Sequence, residues 1–310
     1  MGKYVLGRCR QAVPVLFGVT LITFLLTHVA LGDPVRAMMG QRADPDIVAR
    51  IRVEYGLDEP VWKRYVRYLG KLVVGDLGTS YRQGRPVSEV IAERLPATAR
   101  LAVAAMGIAL VLGVAAGVVA AMRHNTLVDL LLMMGALLGI STPVFWLGMM
   151  LIILFGVWLG WFPISGYGEG DIRHLILPAL TLGVLQAGII ARITRSALLE
   201  VLHQEYIRTA RAKGLREGVV VLKHGLRNGL MPVITLAGIG LGDLLVGAPL
   251  TETVFAWPGL GRLLVSAVGN RDLPVVVGAT FVFALIYLGA SLLVDLAYAL
   301  VDPRIRVVEQ

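Results

Sequence analysis

From Leu130 to Phe162 the chain runs for 33 residues without a charge. As a single α-helix that stretch would be about 50 Å long, against a hydrocarbon core of about 30 Å. Five further apolar stretches, near 11–31, 101–122, 175–191, 229–251 and 275–301, are each about the length of a bilayer crossing. A chain of 310 residues that is 56% hydrophobic and only 16% charged is too apolar for a soluble domain. The expected fold is therefore all-α: a polytopic membrane protein with six transmembrane helices. The first stretch follows Lys3, Arg8 and Arg10 and ends near a weak small-residue pair, Ala30 and Gly32. It is longer than a signal-peptide core, so an uncleaved first span is expected.

The long third stretch reads either as one tilted helix or as a hairpin. Ser141-Thr142-Pro143 supplies a kink, because proline removes a backbone donor and a hydroxyl can satisfy the freed carbonyl. Charge decides between the two. With one crossing there, the segment from Arg192 to Arg227, which holds eight Lys and Arg, lies on the cytoplasmic side together with both termini. Two crossings would place that cluster outside. The domain reading is 1–32 as cytoplasmic N-terminus and first span, 33–96 as an external cap, and 97–310 as a five-helix core with a cytoplasmic loop at about 192–228. In the cap, Ile47, Ile51, Trp62, Tyr65, Leu69 and Leu72 recur at near-helical spacing, and "GDLGTSYRQGRP" forms turns before a helix that starts near Val87. There is no internal repeat and no low-complexity tract.

The net charge of +8 does not mark a nucleic-acid binder, since the basic residues fall between apolar spans and record topology and anionic lipid headgroups. Cys9 is the only cysteine, so neither an intrachain disulfide nor a cysteine metal cluster is possible. No P-loop sequence and no HExxH occur, and Ser165 in "ISGYG" has no histidine base in its sequence context. No catalytic residues and no cofactor are expected. His28 and His174 each lack a second ligand at useful spacing, so no metal site is expected either. Trp158 and Trp161 read as an interfacial aromatic belt.

A charge near the middle of a span costs about 2.5–3.5 kcal/mol on insertion scales, so an intramembrane carboxylate is a functional candidate. Asp243, within "GIGLGDLLVG", is the chief one, either lining a translocation path, bracing a partner or hydrogen-bonded within the bundle. Ser141, Thr142 and Glu252 join it as path candidates. Asp295, nearer the end of the last span, reads as a group that reaches headgroups or an arginine.

The stretch "EYIRTARAKG", 205–214, puts four charges in ten residues. At about 100° per residue Tyr206, Ile207, Ala210 and Gly214 share one arc of a helix, while Arg208 and Arg211 share another. Glu205 suits the positive helix end, and Lys213 precedes a glycine stop. A lipid-surface helix would offer Leu, Phe or Trp, whereas this arc of a tyrosine and small residues suits a close protein contact.

"EYIRTARAKGL" followed by "LKHGLRNGLMPVI" resembles the cytoplasmic EAA loop of bacterial ATP-binding cassette importer permeases, in the branch that carries dipeptides, oligopeptides, glutathione and nickel. "LGDP", "YGLDEP", "GDLGTS", "ARITRSALLEVL", "FAWPGLGRLLV", "NRDLPVV" and "DPRIR" are similar to that branch in the same order. The EAA letters read Thr209-Ala210-Arg211 here, and Leu273 stands where an aromatic is usual. The resemblance implies a MetI-like bundle in the bacterial inner membrane, coupled to ATPase subunits through Glu205, Arg208, Ala210, Arg211, Lys213 and Gly214. It implies a second homologous permease, one or two ATP-binding cassette ATPase subunits that bind ATP and magnesium themselves, and an external substrate-binding protein. The cargo it implies is a di- or oligopeptide, with nickel or a metal chelate as the alternative. An ion-coupled secondary transporter is the rival from another class, and would require paired broken helices in two symmetric halves, which the sequence does not show.

Overall fold

The computed structural model describes the backbone of residues 2–30 and 59–301 and the side chains of 7–8, 10–26 and 59–294. The readings for Ile47, Ile51, His28, Asp295, "LGDP" and "DPRIR" lie outside those residues or side chains. Among the described residues the chain is helical, with one isolated antiparallel bridge between Thr79 and Pro86. The long helices are α1 (Gly2–Ala30), α2 (Val61–Val73), α3 (Val87–Met122), α4 (Leu127–Ser141), α5 (Val144–Leu151, extended by a π-helical turn Ile152–Trp158) and α6 (Ile172–Leu202). They are followed by α7 (Glu205–Ala212), the short α8 (Glu217–Val219) with a π-helical segment Val220–Gly225, and α9 (Leu226–Gly229). The chain continues through α10 (Met231–Leu245), α11 (Pro249–Val254), α12 (Leu260–Gly269) and α13 (Leu273–Val301).

Helices α3, α6 and the 273–294 part of α13 are each long and apolar enough to cross a membrane alone. The pairs 127–158 and 217–245 are apolar enough only when each is taken together. With α1, whose apolar centre is Arg10–Leu26, these make the six hydrophobic units. The third unit is not one long tilted helix: it breaks at the kink expected at Ser141-Thr142-Pro143, and its halves are bent by 106°. The break falls at Pro143, where the Thr142 hydroxyl donates to the Leu138 carbonyl at 2.7 Å. Helix α4 alone, at 15 residues, is about 22 Å long and too short to span. The fourth unit continues past Arg192 to Leu202, and the fifth stops at Leu245 rather than near Thr251.

The chain forms two compact units, one of residues 1–97 and 259–289, the other of 98–258 and 290–310. In the first, α2 has one face of Tyr65, Tyr68 and Leu72 and another of Lys63, Arg67 and Lys71. Tyr65 and Tyr68 pack on Phe24 of α1, with ring centroids 5.2 and 5.7 Å apart. The Tyr65 hydroxyl donates to the Phe17 carbonyl at 3.2 Å, while Arg67 and Lys63 pair with Glu59 on the outer side. Trp62, expected on the apolar face, is 68% exposed. At about 100° per residue it lies about 120° around the helix from Tyr68, off the stripe of Tyr65, Tyr68 and Leu72.

The same unit holds a clamp that joins distant segments. The buried carboxylate of Asp272, just before α13, accepts from the Ser80 hydroxyl at 2.5 Å and from the backbone N–H of Tyr81 and Arg82 at 3.0 and 3.3 Å. Residues 259–289 thus fold with the loop at 79–86. In the second unit α3 meets α6 through Gly113 and Gly117; a Cβ at Gly117 would lie 2.6 Å from the Ala191 carbonyl, so no other residue lets the backbones approach as closely.

Removing the Asp272 carboxylate strands three donors in a buried site, a loss of about 1–3 kcal/mol. Asp272→Ala is expected to lower the unfolding temperature in detergent and to open the Arg82–Gln83 bond to trypsin, read by melting curves and limited proteolysis against the wild type.

Candidate functional site: a surface helix and intramembrane polar groups

Helix α7 forms where the sequence places it. Gln204 has extended dihedrals and its carbonyl takes the N–H groups of Ile207 and Arg208, starting the helix. Gly214 ends it at φ +76°, a left-handed conformation that costs other residues about 1–2 kcal/mol. Among the described residues, apart from its chain neighbours, nothing lies within 4 Å of where a Cβ on Gly214 would be.

The arcs of α7 have a definite orientation. Ile207, fully buried, and Ala210 pack with Val220 and against Val201 and Leu202. The two flanks are tethered: the Tyr206 hydroxyl accepts from the Asn228 amide at 2.7 Å, and Arg211 bonds both oxygens of Glu217 at 2.6 and 3.1 Å. Those bonds hold the Arg211 guanidinium still more firmly in its charged form. The opposite face, Glu205, Arg208, Thr209 and Ala212, is exposed, continuing into Lys213, Gly214 and Leu215. Among the described residues Arg208 pairs with Glu205 alone, at 3.0 Å, with both side chains in solvent. The expectation that Ala210 presents itself to a partner is therefore corrected: its side chain faces the protein's own π-helical segment. Its small size still matters, because it lets α7 lie close to Val220.

The intramembrane candidates do not form one site. Glu252 on α11 is fully buried and takes a hydrogen bond from the Thr98 hydroxyl at 2.9 Å. Thr142 is spent on the α4 break, and Ser141 is exposed beside it. Asp243 lies in the last turn of α10 rather than at mid-helix, is exposed, and has no hydrogen bond or ion pair among the described residues. His174 stands 3.9 Å from Asp171, and no set of three metal-ligating side chains occurs among the described residues.

The strongest polar centre was not singled out from the sequence. Asp129, buried in the first turn of α4, accepts from Arg195 of α6 at 2.6 and 2.7 Å and from the Asn125 N–H at 3.0 Å. His124 Nδ1 lies 3.2 Å from the same carboxylate and 3.0 Å from Arg195 Nη2. Arg195 is in the recognised stretch "ARITRSALLEVL", but the sequence gives no sign that its partner is 66 positions earlier.

The described residues thus supply several membrane-length apolar helices and a charged helix, α7, anchored on its own chain with one face exposed. Residues 113–307 match the family described as binding-protein-dependent transport system inner membrane component, and residues 1–102 match its N-terminal membrane component, so the chain belongs to that family. It is 42% identical to the dipeptide transport system permease protein DppB of Alkalihalophilus pseudofirmus, over 99% of this chain and 100% of that protein. It is 44% identical to the glutathione transport system permease protein GsiC of Escherichia coli and 45% identical to a putative peptide transport system permease protein of Brucella abortus, over 99% of each chain. The protein is thus a non-catalytic, multi-pass permease subunit of an ATP-driven importer, with the ATPase on a separate subunit. That membership rules out the ion-coupled secondary transporter.

Arg195→Met leaves Asp129 buried without its charge partner, and is expected to destabilise the subunit by about 3 kcal/mol. The double variant with Asp129→Asn removes the stranded charge and should recover part of that loss, read as the yield of monodisperse protein in detergent after heating.

Proposed function

We propose that the importer carries di- or oligopeptides and that α7 is the element through which ATPase subunits drive this permease. The observation that carries the second point is the division of α7 into a face anchored on its own chain and a charged face left free. Small and charged groups on a rigidly held helix suit a groove with acidic residues at its rim. The first point is supported by relatives named for dipeptides, peptides and glutathione at 42–45% identity. No observation favours nickel.

In this reading the 192–228 segment and both termini are cytoplasmic, and the cap at 33–96 is external. A second, homologous permease completes the path, and one or two ATPase chains bind ATP and magnesium. An external binding protein delivers the peptide. ATP-driven closure of the ATPases pushes on α7, whose buried face passes the motion to Val201 and Leu202 at the end of α6, and whose Tyr206 passes it to Asn228 on α9.

Two variants test the coupling. Gly214→Leu and Gly214→Asn are both expected to insert normally yet lose more than half of the co-purifying ATPase. Asparagine adopts the left-handed conformation at little cost, so it separates docking from backbone strain. Full assembly and uptake with Gly214→Asn would overturn the docking role. Arg208→Ala should stay within about twofold of wild type, as an exposed ion pair contributes little. In a Cys9→Ser background, Ala212→Cys should react with a membrane-impermeant maleimide from the cytoplasmic side only.

A further inference from the structure

Helix α10 has three faces. Val233, Ala237, Gly240 and Leu244 are buried, with Gly240 close to Met106 and to the amide of Gln186 on α6. Gly238 and Gly242 lie against Val294 and Ala290 of α13. The remaining face carries Pro232, Ile239 and Asp243, all exposed. Between Arg227 and Arg262 the sequence contains no Lys, Arg or His, and its only charges are Asp243 and Glu252. Glu252 is buried within the chain. Among the described residues Asp243 has no ion pair, and its exposed neighbours on this face, Pro232 and Ile239, are apolar.

Two features of the backbone add to it. Asp243 sits in the C-terminal turn, where the helix dipole is already negative and a carboxylate is disfavoured unless a cation offsets it. Directly after it the chain leaves the helix, with Gly247 at φ +102° before α11 begins at Pro249, all inside an apolar stretch. Within a bilayer, non-helical backbone is tolerated where it is buried in protein or lines a water-filled cavity; Val246, Gly247 and Ala248 are only half-buried, which fits the second case, and broken-helix C-termini there are suited to cations. A lipid-facing carboxylate has no such offset.

We propose that Asp243 lines the aqueous translocation path and receives the cationic side chain of basic cargo, biasing import toward peptides that carry lysine or arginine. This rests on the peptide reading above. The test uses the complete transporter, with second permease, ATPases and binding protein, in proteoliposomes. Asp243→Asn is expected to lower uptake of Ala-Lys roughly tenfold, the scale of one charge-assisted hydrogen bond, while Ala-Ala uptake changes less than twofold. Asp243→Lys should nearly abolish Ala-Lys uptake and spare Ala-Ala. In a Cys9→Ser background, Asp243→Cys should react with a trimethylammonium methanethiosulfonate. Equal loss of both peptides, no change in either, or loss of the second permease on purification would each overturn the proposal, the last by making Asp243 a brace between subunits. If the unaltered transporter imports neither peptide, the peptide reading fails by itself. The thiol reaction then still decides the site: labelling by the cationic reagent upholds an aqueous, cation-accessible Asp243, and no labelling sinks it.

Discussion

A hydrocarbon interior offers no hydrogen-bond partner, so every polar group in the spans must find one inside the protein or face water. The architecture follows from how that requirement is met. Where Pro143 breaks the third unit, the Thr142 hydroxyl occupies the Leu138 carbonyl. Where a carboxylate is buried at the start of α4, Arg195, Asn125 and His124 surround it. Glu252 is met by Thr98. Asp243 alone among these carboxylates is left to something outside the described chain, which is why it, rather than the buried acids, speaks to function.

The same economy explains α7. A helix of eight residues is too short to be stable alone, so its packing must come from elsewhere. Ile207 and Ala210 bury its inner arc, and Tyr206 and Arg211 fix its two flanks. What remains outward is the part of the helix that contributes least to its own stability. A surface free of structural duty can be shaped for a partner, and a helix pinned on three sides transmits a push instead of absorbing it. In the coupling proposed above, the inward turn of Ala210 helps to hold the helix even though it removes that side chain from the contact.

The apolar runs, the start of α3 at Val87, both ends of α7 and the left-handed Gly214 were legible, because each depends on local pattern or local stereochemistry. The rest depended on partners far away in the chain. Asp272 and the 79–86 loop are separated by about 190 positions, and Asp129 and Arg195 by 66, so neither pairing leaves a periodic trace. Periodicity put Ile207 and Ala210 on one arc of α7 but could not say that this arc meets the protein, that Tyr206 and Arg211 flank it or that Gly214 continues the outward face, since Val220 reaches the helix through the π-helical segment. Ser141-Thr142-Pro143 marked the break in the third unit, but a bend of 106° reflects how both halves pack, which three residues do not encode.

A cation site in an open path also fits the demands of transport. Conduction through a narrow passage requires a site favourable enough to be entered and weak enough to be left. A fully desolvated ion pair would hold its cargo and cost much to form. A single carboxylate at a wet helix end, with Ile239 one turn before it and no second acid beside it among the described residues, is screened by the water around it and binds weakly. In the importer proposed above such a group leaves neutral peptides nearly unaffected, because selection of the whole peptide would fall to the delivering binding protein. It raises the local concentration of basic ones at the point where the chain leaves α10, so its preference would be read in relative uptake rather than in tight binding.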